Sequence, residues 1–134
     1  KDVSIYTVND LGREMVVLKG DNHISLTQVF SKVIIALKKA FHTDDEPMIN
    51  IAGFYSKGSW LVAIFPRQKH RPDVFYREGA ERIIVSPGVV EMAGVLVTPM
   101  EKDFERLDAA TVEAIYREVS IDSNIFTSAI QNIK

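Results

Sequence analysis

The sequence contains no cysteine in its 134 residues. Thiol catalysis, cysteine zinc sites and disulfide scaffolds are therefore excluded, and this composition fits a cytoplasmic protein. Long hydrophobic runs are also missing, because the longest, Trp60 to Pro66, is far shorter than the ~18 residues of a membrane span. Neither sign of charge predominates, since 16 Lys and Arg stand against 18 Asp and Glu. We therefore expect neither a membrane nor a polynucleotide as partner.

The rest of the composition is that of an ordinary globular chain, with 46% hydrophobic and 25% charged residues. Its length suits one domain spanning residues 1–134. The chain begins at Lys1 and shows neither an initiator methionine nor a signal peptide. We therefore expect it to be one domain of a longer protein.

Three pairs of β-rich segments are separated by turn residues. Val3–Val8 and 14–19 flank a turn at 9–12, where Asn, Asp and Gly tolerate positive φ angles. Segments 48–55 and 60–65 flank Lys57 and Gly58, and the second does not alternate, which is typical of a central strand. Segments 82–86 and 92–98 form the third predicted pair, with Pro87 and Gly88 in a type II turn.

Helical periodicity appears once in the first half of the chain and twice near its end. Apolar residues from Leu26 to Phe41 recur at i, i+3, i+4 and i+7, and Ser25 with Gln28 forms a capping-box pattern at the start. Asp108 suits the N-cap of a second helix, and a third begins near Ser123. The predicted order is ββαββββαα. This order indicates an α+β fold, a mostly antiparallel sheet with helices packed on it.

The residues offer no complete catalytic constellation. His23, His42 and His70 are not spaced as a metal-binding pair, and nucleophile-elbow and phosphate-loop motifs are absent. The acidic run 44–46 has the oxygen ligands of a divalent-cation site, but such a run is more often a solvated turn. We therefore predict no catalytic residue, no metal and no cofactor in this chain.

The basic loop, residues 66–72, carries the strongest functional signal. It follows the most apolar strand, two prolines limit its backbone freedom, and its side chains suit phosphate oxygens. The candidate phosphate- or nucleotide-binding residues are Arg67, Lys69, His70 and Arg71. An alternative stays open, a solvated loop that pairs with local acids, namely Asp73, Glu78 and Glu81.

Three other positions near this loop have possible roles. Glu91 is the one acid in an apolar stretch, where its carboxylate could pair with a loop arginine, hold a ligand hydroxyl or simply face water. Phe75 could stack on a nucleic-acid base, but acids interleave from Asp73 onward and argue against polynucleotide binding. In the charged segment 101–106, we expect Phe104 to be the buried anchor.

Residues 60–67, 84–94 and 96–106 together resemble a known superfamily. They are similar to the C-terminal half of the histidine-triad-like nucleotidyltransferases, which include ATP adenylyltransferases, galactose-1-phosphate uridylyltransferases and GDP-hexose phosphorylases. The likeness covers roughly residues 48–120 and is strongest to a phosphorylase-like group of the DUF4922 type, common in Bacteroides. In that group a PRxKHRP loop and an EKDFER segment recur, as they do here at 66–72 and 101–106.

The resemblance implies a HIT-like fold and a divided active site. In those enzymes a histidine of an HxHxQ-type motif in the N-terminal half attacks the α-phosphate, and this chain has no such motif. The resemblance thus implies a domain that is inactive alone and supplies a cationic wall for a nucleotide or sugar-phosphate. Its expected partners are that ligand, the N-terminal half and a second copy in a homodimer. The alternative is a stand-alone module whose basic loop binds a phosphorylated ligand or an acidic protein.

Overall fold

The computed structural model describes residues 2–8 and 10–133, which form four strands and five α-helices. Two single 3₁₀ turns lie between the last strand and the second helix, at Asp73–Tyr76 and Gly79–Glu81. The strands and helices are β1 (Val3–Val8), β2 (Met15–Gly20), α1 (His23–Ala40), β3 (Ile49–Ser56), β4 (Ser59–Pro66), α2 (Val89–Met92), α3 (Glu101–Arg106), α4 (Ala109–Val119) and α5 (Ser123–Gln131).

The four strands form one antiparallel sheet in the order β1-β2-β4-β3. This arrangement confirms the α+β class, the opening ββαββ order and the central place of β4. Consecutive residues Ile64 and Phe65 belong to separate buried clusters on the two faces of the sheet. The end of β4 that leads into the basic loop is therefore covered on both sides, as its unbroken apolar sequence indicates.

The turn between β1 and β2 has the backbone conformation that its residues favour. Asp10 and Gly12 adopt φ angles of 62° and 71°, which Asp and Gly tolerate best. Asn9, assigned to the same turn from the sequence, lies outside the described residues.

Helix α1 buries the predicted stripe but starts earlier than predicted. Val33 and Leu37 are fully buried, and the other large residues of the stripe pack around them. The N-cap is Asn22, whose Oδ1 accepts hydrogen bonds from the amides of Ile24 (2.9 Å) and Ser25 (3.1 Å). The predicted capping box at Ser25 and Gln28 is therefore wrong, because both residues lie inside the helix.

The predicted strands at 82–86 and 92–98 are also wrong. Residues 82–88 and 95–98 belong to none of the strands, and Val89–Met92 is helical. Gly88 has a φ of −112°, whereas a type II turn requires a positive angle there. The apolar residues Ile83 and Val85 instead pack against Ile115 of α4, so burial by a helix replaces strand pairing.

Helices cover both faces of the sheet. On one face, α1 and α5 enclose a core that includes Leu18, Ile64 and Phe126. On the other, Met92 of α2 and Tyr116 of α4 pack against Phe65. The last two helices thus form as predicted, with Asp108 accepting from the Thr111 amide at 2.7 Å. Within the described residues, no helix combines the length and hydrophobicity that crossing a bilayer requires.

Candidate functional site: the basic loop and the arginines on Phe75

Arg67, the first residue after β4, is buried and holds together several parts of the chain. Its side chain is 3% exposed, and each of its five N–H groups has an acceptor within the protein. The acceptors are Val119 O (3.3 Å), Asn50 Oδ1 (2.5 Å), Pro87 O (2.7 Å), Lys69 O (2.8 Å) and His70 O (2.9 Å). Arg67 therefore fixes the path of the loop and has no free donor for a phosphate in this structure.

The environment of Arg67 also determines its electrostatics and the position of Glu91. Burial lowers the pKa of Arg67, and the nearby negative charge of Glu91 opposes that shift. The Glu91 carboxylate accepts a hydrogen bond from the Gly88 amide at 2.8 Å. Glu91 thus accepts a hydrogen bond from the backbone just before α2, and its negative charge opposes the lowering of the Arg67 pKa by burial.

Lys69 is the loop cation whose charge is already matched by acids. Its Nζ lies 2.9 Å from Asp73 Oδ1 and 2.9 Å from Glu118 Oε1. The hydrogen bonds that Lys69 donates to Glu118 and Asp73 raise the pKa of Lys69, and its bond to Asp73 lowers the pKa of that carboxyl. Pairing with a local acid, one of the two open interpretations of the loop, thus describes Lys69.

Arg71 and a second arginine, Arg82, lie against the same aromatic ring. Their guanidinium carbons are 4.5 Å and 5.0 Å from the centre of Phe75. Both carbons are therefore within about 10 Å of each other, and both side chains are exposed. Arg71 Nε donates to Ser86 Oγ at 3.0 Å, which leaves its two terminal nitrogens without a protein acceptor among the described residues. We call Arg71 and Arg82 the Phe75 arginine pair.

His70 completes the exposed part of the loop. Its carbonyl accepts from Arg67, while its imidazole is exposed between Lys69 and Arg71 in the sequence. Of the four predicted site residues, the structure thus presents His70 and Arg71 to solvent, pairs Lys69 with acids and buries Arg67.

Helix α3 fixes the segment that carries Arg82. Asp103 is 0% exposed, and its carboxylate accepts from the Ile84 amide at 2.8 Å and from Lys102 Nζ at 3.0 Å. The Ile84 hydrogen bond lowers the pKa of Asp103, so the carboxylate stays ionised despite its burial. Lys102 and Arg106 both donate to the Arg82 carbonyl, at 3.4 Å each.

The predicted anchor of this helix is wrong. Phe104 is 72% exposed, and the adjacent Asp103 takes the buried position. A carboxylate next to an apolar residue gives no sequence signal for burial, because its partner, the Ile84 amide, lies 19 residues away. Arg82 was missed for a related reason, since the sequence places it at the start of a predicted strand.

The other candidate ligands do not gather into a metal site. Within the described residues, no group of three or more His, Asp or Glu is placed to hold a metal ion. The acidic run 44–46 is exposed, and the carbonyl of Asp44 accepts from Lys38 Nζ at 2.8 Å. The cationic groups around Phe75 are therefore the site that the geometry favours, and an anion is the ligand that it suits.

One family model matches the sequence, and it does so over residues 1–134, the whole chain. Its description is GDPGP1-like, C-terminal domain. No curated protein and no solved structure matches the chain. This chain belongs to the GDPGP1-like family and corresponds to the C-terminal domain of that family.

Proposed function

We propose that this chain is the non-nucleophilic C-terminal half of a nucleotide-sugar phosphorylase or nucleotidyltransferase. In this role it provides phosphate contacts and an assembly surface and has no activity alone. Membership of the GDPGP1-like family supports the phosphorylase-like part. The observation that carries the phosphate contacts is the Phe75 arginine pair, two exposed guanidinium groups on one aromatic ring.

The loop residues contribute to this site in two ways. Arg71 and Arg82 lie exposed against the Phe75 ring and would contact the phosphate directly, and the exposed His70, next to Arg71 in the chain, would join them. Arg67 and Lys69 would support them by fixing the loop backbone and its acidic neighbours. Glu91 would support the site through its hydrogen bond to the segment before α2.

The assembly surface is proposed on the side of the sheet that ends in β3. Within the described residues, no strand pairs with the outer edge of β3, and Phe54 and Tyr55 of this strand are both more than half exposed. Exposed apolar residues continue from α2 to α3, at Val90, Val95, Val97 and Phe104. Such a patch is typical of an interface, and we assign it to the N-terminal half, with a homodimer as the competing occupant.

Binding measurements on the chain test the phosphate contacts. Isothermal titration with GDP, pyrophosphate and guanosine should show weak binding, in about the millimolar range, for the two phosphate compounds and none for guanosine. Arg71→Met and Arg82→Met should each weaken GDP binding about tenfold without changing stability, because each removes a charged donor from the surface. Arg117→Met, which removes an exposed arginine from α4, is the matched control and should bind GDP like the unmodified chain.

Two outcomes would contradict the proposal. If Arg71→Met, Arg82→Met and Arg117→Met all bind GDP with equal affinity, the Phe75 arginine pair does not contact the phosphate. The coding sequence upstream should contain an HxHxQ motif within roughly 100–200 residues, about one domain. Its absence, combined with tight GDP binding by this chain, would favour a stand-alone binding module.

A further inference from the structure

An open groove of about 810 Å³ lies between helices α1 and α5, on the face of the sheet opposite α2 and α4. Its apolar lining includes Ile35 on α1 and Ile125 on α5, which are 53% and 41% exposed. Lys32, Lys39 and His42 line the α1 side. The groove thus combines an apolar floor with a basic wall and takes no part in the site described above.

The charge of this layer differs in sign from that of the whole chain. Helix α1 contains three lysines and no acid, and α5 contains no charged residue, whereas the chain has a net charge of −2. The α5 side offers neutral hydrogen-bonding groups, such as Asn124 and Ser128. Asp44 is the acid at the end of the groove, in a depression that it shares with Lys39 and His42. The groove therefore favours an anionic occupant.

Its shape restricts that occupant further. From Lys32 to Ala40 the α1 wall runs about 12 Å, the length of a little over two helical turns. A third helix fits between two such walls by placing apolar residues at i, i+3 or i+4 and i+7 along the floor. A second copy of α1 would bring lysines against lysines, and a flat lipid surface would leave a concave floor unfilled.

We propose that the α1–α5 groove binds an acidic amphipathic helix of a partner protein. The apolar face of that helix covers Ile35 and Ile125, and its flanking carboxylates pair with Lys32 and Lys39. The ion pairs fix the orientation and speed the association, while burial of the apolar floor supplies most of the affinity.

The probe is a fluorescein-labelled peptide of about 14 residues, roughly four helical turns, with leucines at helical spacing and glutamates on both flanks. A second peptide carries lysines in place of the glutamates. Fluorescence anisotropy should show saturable binding of the glutamate peptide and at least about tenfold weaker binding of the lysine peptide. The double variant Lys32→Glu with Lys39→Glu should weaken the glutamate peptide about tenfold and strengthen the lysine peptide.

Two further variants complete the test. Ile125→Ser should weaken the glutamate peptide through loss of apolar contact, and Lys57→Glu, a charge reversal in the β3–β4 turn, should leave its affinity unchanged. The proposal is overturned if both peptides bind equally well or if the double variant binds the glutamate peptide like the unmodified chain. Binding of phosphatidylserine vesicles without saturable peptide binding would overturn it as well.

Discussion

Replacing Arg67 with methionine tests whether this residue holds the loop in place. The substitution keeps the unbranched apolar stem and removes all five donors. The bonds to Val119 and Pro87 are fully buried, but Val119 O also accepts from the Gln68 amide at 3.0 Å and so keeps a partner. The Pro87 carbonyl is the acceptor that would be left buried without one.

The expected loss of stability follows from these contacts. One buried carbonyl without a partner costs about 1–3 kcal/mol. The three remaining acceptors are only partly buried and can bind water, while the cost of burying a guanidinium group is recovered. We therefore expect Arg67→Met to lower the free energy of unfolding by about 1–3 kcal/mol, which corresponds to a fall of about 0.5–1.5 M in the urea midpoint.

The assay is urea unfolding followed by far-ultraviolet circular dichroism. Arg71→Met is the matched control, because it removes an exposed arginine of the same loop, and it should cost under about 1 kcal/mol. Arg67→Lys should fall between the two, since lysine keeps the charge but cannot reproduce the planar fork. If Arg67→Met costs no more than Arg71→Met, the structural role of Arg67 is refuted.

Three further predictions have defined outcomes. The pKa of Asp103 is lower in the folded chain than in the unfolded chain, where it is about 3.9. The ionised carboxylate therefore stabilises the fold above about pH 3.9. That stabilisation is lost as the pH falls through the pKa of the folded state. The gap in unfolding free energy between the unmodified chain and Asp103→Asn should narrow below about pH 4, and a constant gap in urea titrations from pH 7 to 2 would contradict this. Asn22→Ala should cost about 1 kcal/mol as the loss of an N-cap, and Ser25→Ala clearly less; the reverse order would restore the capping box at Ser25. Phe104→Ser should change the free energy of unfolding by under about 0.5 kcal/mol because the ring is mostly in water, and a cost above 2 kcal/mol would show that it is buried.

Local periodicity was sufficient wherever a regular helix or hairpin buries a continuous apolar face. The two hairpins and helices α1, α4 and α5 follow this rule, apart from the start of α1. The start of α1 was misplaced because Asn22 and Ser25 are both good caps, and only the backbone geometry decides between them.

The segment 82–98 shows where the pattern is insufficient. The short β-branched run from Ile83 to Val85 suits a strand, yet it also suits an irregular segment that packs on a helix. The Ile84 amide donates its hydrogen bond to the buried carboxylate of Asp103, whereas in a strand it would donate to a carbonyl of the neighbouring strand. The local sequence of segment 82–98 predicts neither its contact with α4 nor its hydrogen bond to Asp103, because both partners lie further along the chain.

The candidate site presents the same difficulty at the level of single residues. Arg67 and Arg71 are equivalent in composition and charge, and the sequence assigns both to the phosphate. Their difference arises from acceptors 17 to 52 residues away, which enclose Arg67 and leave Arg71 outside. The sequence-based prediction of the loop as the site region therefore does not indicate which of its cations are accessible.

The contacts of Arg67 also determine how the chain can open. Its bonds join the end of β4 to α4, and the backbone reinforces them, because the Ile121 amide donates to Pro66 O at 3.1 Å. Such long-range links make the loop and the last two helices one cooperative unit in local unfolding. Amide hydrogen exchange at Gln68 and Ile121 should then report the same opening free energy. The loop would exchange only when the C-terminal helices also detach, so the exposed cations of the loop are kept in place by the packing of those helices.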